Sequence, residues 1–142
     1  MIELVPFVAD HALAIDPVAE QGRYAAYLTP AAAKAYEGPF SRTAMLDGKP
    51  LVCAGLINKW VDSWSAWAYI DVAAGSHMLT VTRAVRRAFP DLPCGRIEAT
   101  TPIDYDAGRR WLELLGFKNE TPDGMACFTP DRRTYCLYSR VN

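Results

Sequence analysis

The sequence is poor in the residues that build metal centres and disulfide frameworks. It has four cysteines and two histidines in 142 residues. No two cysteines stand at C-x-x-C spacing, and His11 and His77 are isolated from each other. That pattern offers no zinc ligand set. The even cysteine count leaves two disulfides open, but Cys53 and Cys136 fall inside strand-like runs, so buried free thiols are the expectation for the set. There is no excess of either charge: the net charge is -1, with 22% charged residues. A nucleic-acid-binding surface has no electrostatic basis in that balance. The basic pairs Arg86-Arg87, Arg109-Arg110 and Arg132-Arg133 are short and read as solvated faces. No apolar run approaches the length of a membrane span. The first ten residues lack the basic start and apolar block of a secretory signal. A cytoplasmic protein is the expectation. Repeats, low-complexity tracts and linkers are also missing.

What is present is ordinary globular material. Apolar residues make up 51% of the chain, including four Trp and seven Tyr. Such a chain is long enough to bury a core without staples, and it reads as a single domain over residues 1–142.

Local chemistry sets the expected elements. Ile2 to Val8 is rich in β-formers and reads as a strand. A helical stretch follows, with Asp16-Pro17 and Thr29-Pro30 each pairing an N-cap residue with a first-turn proline. Two helices within 17–37 are expected, broken near Thr29 and stopped at Gly38. Phe40 to Leu46, Pro50 to Trp60 and Ser65 to Val72 read as an antiparallel meander, with turns at Asp47-Gly48 and Asp62-Ser63. Met78, Val81, Val85 and Ala88 recur at helical spacing after Gly75-Ser76, where Ser76 is the expected cap. Arg96 to Thr100 is a strand, and residues 104–115 a helix ended by Gly116. Phe117 to Glu120, Met125 to Phe128 and Thr134 to Ser139 read as closing strands. The strand-helix-strand passage over 65–100 predicts one parallel crossover inside a mixed sheet. Such a pairing splays the sheet and exposes backbone to a ligand.

This order resembles the GCN5-related N-acetyltransferase (GNAT) superfamily. The likeness is carried by three short motifs. Gly48-Lys49-Pro50-Leu51-Val52-Cys53-Ala54-Gly55 resembles the family's hairpin. Trp67 to Val72 with its following helix resembles the acyl-CoA strand and helix. Trp111-Leu112-Glu113-Leu114-Leu115-Gly116-Phe117 resembles the terminal helix that ends in Gly-Phe. The hairpin at 48–55 and the Asp-Gly turn at 123–124 are also similar to GNAT-like proteins of T7-type phages. The resemblance implies an α+β fold: a mixed, mostly antiparallel sheet of about six to eight strands flanked by about four helices.

It also implies a function, transfer of an acetyl group from acetyl-CoA to an amine. The cofactor segment would be Ile70, Val72, Ala73, Ala74, Gly75, Ser76, His77 and Met78, whose main-chain amides would face the carbonyl and the phosphates. The family's basic residue with two spaced glycines is missing from that loop. Its usual tyrosine acid is replaced by Leu112. Tyr105 is the substitute acid, and Asp71 and His77 are candidate bases, with Glu98 a third carboxylate. Trp60, Trp64 and Trp67 would line an acceptor pocket or a partner surface. The alternative is a catalytically silent phage protein, a virion component or host-interaction module located in the virion or host cytoplasm. The partner is an amine acceptor in the first case and a phage or host protein in the second. No metal, nucleic acid or membrane is expected, and the assembly is a monomer or homodimer.

Overall fold

The computed structural model describes residues 1–22 and 27–141. The part of the first expected helix over 23–26 therefore lies outside the described residues. The strands are β1 (Ile2–Pro6), β2 (Arg42–Leu46), β3 (Lys49–Trp60), β4 (Ser63–Ile70), β5 (Arg96–Pro102), β6 (Lys118–Asn119) and β7 (Tyr135–Val141). The helices are α1 (Ala9–Ala14), α2 (Ala19–Gly22), α3 (Pro30–Lys34), α4 (Met78–Ala88) and α5 (Asp106–Leu114). A 3₁₀ turn over Val72–His77 leads into α4. The seven strands hydrogen-bond in the order β1-β2-β3-β4-β5-β7-β6. Pairing is antiparallel for β1–β2, β2–β3, β5–β7 and β6–β7, and parallel for β4–β5. This is the expected α+β architecture. The parallel ladder is short: it matches Ser63, Trp64 and Ser65 with Arg96, Ile97 and Glu98 and then ends.

Residue contacts divide the chain into two compact units, one of 1–57 with 66–81 and one of 58–65 with 82–142. In the first, Phe7, Ala12, Ile15, Ala33 and Cys53 form a buried cluster, with Leu28, Tyr36, Trp67 and Tyr69 packed against it. The β2–β3 hairpin closes through Asp47 (φ 50°) and Gly48 (φ 81°). Two positive φ angles in a two-residue loop match the right-handed twist of the strands it joins. At α3, the Thr29 hydroxyl accepts the Ala32 N–H at 3.1 Å, and Pro30 stands in the first turn, as expected.

In the second unit Ile97, Leu112, Leu115, Phe117, Cys136 and Tyr138 are buried. Helix α5 ends as its Gly116 foretells. Gly116 adopts φ 89°. Its N–H donates to Glu113 O at 3.0 Å, and the Phe117 N–H donates to Leu112 O at 3.0 Å. This is the paired closure that a left-handed glycine makes possible. The Asp62 carboxylate accepts the Gly95 N–H at 2.7 Å, and its carbonyl accepts the Arg96 N–H at 3.0 Å, fixing where β5 begins.

Four expectations need correction. Helix α1 occupies Ala9–Ala14, ahead of the expected helical stretch. Pro17 does not open a helix: it sits opposite Asp71 in an antiparallel bridge, and α2 starts at Ala19. Met125 to Phe128 is not a strand. Only Met125 pairs, with Tyr135, and Cys127 at φ 55° turns the chain away from extended geometry. All four cysteines are free, but Cys127 is exposed while the other three are buried. Among the described residues, no helix is long and apolar enough to cross a membrane.

Candidate functional site

Successive residues of a strand turn their N–H and C=O groups to opposite edges. At the end of β4, the Asp71 N–H faces β3, where it donates to Leu51 O at 3.0 Å. Ala68, Ile70 and Val72 therefore turn their main-chain groups to the other edge. That edge is where the resemblance places a ligand.

In this chain the edge is taken by its own segment Asp16–Gln21. The Ile70 N–H donates to Gln21 Oε1 at 2.8 Å, and Gln21 Nε2 donates to Ala68 O at 2.9 Å. One side-chain carboxamide thus satisfies both a donor and an acceptor of β4. Further on, the Val18 N–H donates to Ile70 O and the Val72 N–H to Asp16 O, each at 2.9 Å. These two bonds flank the Pro17–Asp71 bridge. Pro17 occupies the non-hydrogen-bonded position of that pairing, so its missing N–H costs nothing.

Asp71, a candidate base, is a capping residue here. Its Oδ1 accepts the Ala73 N–H at 2.9 Å, and its Oδ2 accepts the Asp16 N–H at 2.9 Å. A carboxylate at this end complements the positive pole of the backbone that follows. Asp71 also displaces Ser76 from the expected cap role: the turn begins at Val72, so Ser76 and His77 lie inside it. His77 and Met78 are half-buried, Ala74 is buried, and Val72, Ala73, Gly75 and Ser76 are exposed. A Cβ on Gly75 would meet nothing within 4 Å, so its backbone stands open. The Ala74 N–H is used locally, donating to Asp71 O at 3.0 Å.

Tyr105 belongs to the second unit, at the N-cap position of α5. Its ring is half-buried, with Cδ2 at 2.6 Å from where a Cβ on Gly108 would lie. Leu112 is buried and faces the core.

The tryptophans differ from one another. Trp67 is packed in the first unit, its ring centroid 5.0 Å from that of Phe7 and 4.8 Å from that of Tyr36. Its indole Nε1 is buried without a hydrogen-bond partner. Trp60, in the second unit, is 65% exposed, with Lys59 Nζ 5.0 Å from its ring centroid. Trp64 is half-buried.

Glu98 is held in an ion-pair network. Lys59 Nζ lies 2.6 Å from one of its oxygens and Arg96 Nη2 2.7 Å from the other. The hydrogen bonds from Lys59 and Arg96 hold its carboxyl below the ordinary value. A carboxylate so stabilised is a weak proton acceptor, which removes it from the candidate bases. Arg96 also pairs with Glu120 at 2.7 Å, and Ser139 hydrogen-bonds the same carboxylate. Glu120 is lowered to about 2, chiefly by Arg96 and then by Ser139. Among the described residues, no group of three or more His, Cys, Asp or Glu side chains forms a metal cage.

Sequence reasoning missed Gln21, Asp16 and Val18, the residues in contact with the β4 edge. Their bonds join positions 47 to 55 apart in the chain, and no local periodicity signals them.

No family model matches the chain, and no curated protein matches it. Solved structures do. It is similar to Ard1 from Thermoplasma volcanium, with a TM-score of 0.79 and 11% identity over 99% of this chain and 97% of that one. The ribosomal-protein-S18-alanine N-acetyltransferase from Escherichia coli aligns with a TM-score of 0.69 and 13% identity over 99% and 94%. A GNAT-family acetyltransferase from Bacillus anthracis gives 0.69 and 11% over the same shares. The chain therefore has the fold of the GNAT acetyltransferases. At these identities the likeness concerns the fold.

Proposed function

We propose that the chain is an acyl-CoA-dependent N-acyltransferase that moves an acetyl group to an amine. The observation that carries this reading is the β4 edge. Ala68 O and Ile70 N–H already bind a carboxamide in Gln21. The same donor and acceptor suit the amide groups along the arm of acetyl-CoA, which supplies an activated acyl thioester when bound. The residues that would hold that arm are Ala68 and Ile70. Gly75, with open space above it, lets the phosphate end approach backbone. The fit is poorer next to Asp71, whose carboxylate already caps Ala73. His77 is the proposed base, taking a proton from the amine. Joining the amine nitrogen to the acyl carbon would break the C–S bond, and the proton taken by His77 would pass to the departing sulfur, leaving an amide and a free thiol.

A second reading has specific support. Leu112 cannot donate a proton, and the Asp71 carboxylate opposes an anion at the start of the turn. Both favour a catalytically silent scaffold, of the kind the phage likeness suggests, acting through a protein partner.

Release of free thiol from acetyl-CoA in the presence of a panel of amines tests the proposal. Turnover that falls on His77→Ala supports it; no thiol release above background with any amine favours the silent scaffold. Tyr105→Phe tests the acid role separately.

A further inference from the structure

The acyltransferase reading treats the outer edge of β4 as a ligand edge, and the segment Asp16–Gln21 lies along that edge. Five hydrogen bonds hold it there: Asp16 N–H to Asp71 Oδ2, Val72 N–H to Asp16 O, Val18 N–H to Ile70 O, Gln21 Nε2 to Ala68 O, and Ile70 N–H to Gln21 Oε1. The pairing begins as a true antiparallel bridge at Pro17–Asp71. It cannot continue as backbone, because the chain turns into α2 at Ala19. From there the Gln21 carboxamide takes over, turning its oxygen and one N–H to the same edge. No other side-chain type of that length does both: glutamate has no donor and lysine no acceptor. The carboxamide therefore occupies both edge groups, Ala68 O and Ile70 N–H, that the amides of an extended ligand would use.

We infer that Asp16–Gln21 is a built-in strap that competes with an amide-bearing ligand for the β4 edge, and that Gln21 is the residue the ligand must displace. This inference rests on the acyltransferase reading. The competition follows from saturation. The Ile70 N–H has one hydrogen to donate, and Gln21 uses it. A ligand amide oxygen reaches the Ile70 N–H only by breaking its bond to Gln21, so the two occupants exclude each other at that position. Weakening the strap should strengthen the ligand by the same factor. The Asp16–Val18 part has a different character, being backbone against backbone with the Asp71 carboxylate as a clasp. It anchors the strap, while Gln21 is its displaceable end.

The test uses the full chain, two substitutions and acetyl-CoA as the probe. Gln21→Ala removes both side-chain bonds. Gln21→Met keeps the length and also removes both side-chain bonds, and it serves if the alanine variant folds poorly. Amide hydrogen exchange at Ile70 should rise about tenfold in either variant, while exchange at Asp71, bonded to Leu51, stays unchanged. Acetyl-CoA should bind the variants about tenfold more tightly than the parent in calorimetry, with the gain equal to the loss of protection at Ile70. Unchanged exchange at Ile70 would overturn the strap itself. Equal or weaker acetyl-CoA binding by the variants, with binding by the parent intact, would overturn the competition while leaving the acyltransferase reading in place. Binding by neither parent nor variants at millimolar acetyl-CoA would overturn both the reading and the competition. In that case the Ile70 exchange data still show whether Gln21 holds the edge.

Discussion

Gly55 lies so close to Ser41 that a Cβ on the glycine would sit 2.8 Å from the serine Cα. The serine is fixed in turn: its N–H donates to Gly38 O at 3.3 Å, its hydroxyl to Tyr36 O at 2.7 Å, and its carbonyl accepts the Phe7 N–H at 3.1 Å. The hairpin glycine that the sequence marks out at the end of its motif is thus a packing requirement. A backbone atom cannot swing aside as a side-chain tip can. Gly55→Ala should destabilise the protein by about 1–3 kcal/mol, the usual cost of overpacking. Chemical denaturation measures it. By contrast Gly75→Ala, with nothing within 4 Å of the new methyl, should change stability little.

Acid should loosen the second unit through Glu120 and Glu98. Both carboxyls are lowered from 4.5 in the folded chain, Glu120 to about 2. A folded-state pKa below the unfolded one gives stability that is complete above the unfolded value. It is lost as pH falls from about 4.5 towards 2. Glu120 is part-exposed, so solvent screening keeps the effect modest. Arg96→Met removes the common partner and should flatten the stability profile across that window, as read from denaturation midpoints at a series of pH values.

Thiol reactivity should separate the cysteines. Burial pushes Cys53 up to about 11 against a smaller lowering by Thr43. Burial also raises Cys94, with the Asp62 charge adding to it. Cys136 is wholly buried, while Cys127 is exposed. A thiolate is the reactive form, and it must be accessible. A disulfide reagent at neutral pH should label one thiol quickly in the native protein and all four after unfolding. Cys127→Ser should abolish the fast phase.

Legibility in the sequence followed the range of the interactions. Thr29-Pro30, Asp47-Gly48 and Gly116 were readable because each acts on its own neighbours: a hydroxyl on an N–H three residues on, a two-residue turn, a left-handed stop. The parallel crossover was readable because a strand, a helix and a strand at that spacing admit few alternatives. Pro17 was misread because the same residue that opens a helix also suits a bridge position needing no N–H. Its partner is Asp71, and nothing nearby in sequence announces it. Met125 to Phe128 has strand-forming composition, but Cys127 turns left-handed. Asp71 could have been read as a cap, yet Gly75-Ser76 gave a competing and more familiar signal. The occupant of the β4 edge was hidden altogether. Gln21 and Ile70 are 49 residues apart, and a lone glutamine in a helical stretch carries no mark of its role.

The central claim is that the outer edge of β4 receives the amide arm of acetyl-CoA. An isotope-edited NMR titration of the full chain with acetyl-CoA tests it most directly, by following the Ile70 amide. The account predicts a saturable shift at this amide, small changes at the β3-facing Asp71 amide, and a stabilisation of about 2.7 kcal/mol at a hundredfold excess over the dissociation constant. An Ile70 resonance that stays in place at millimolar acetyl-CoA would contradict it.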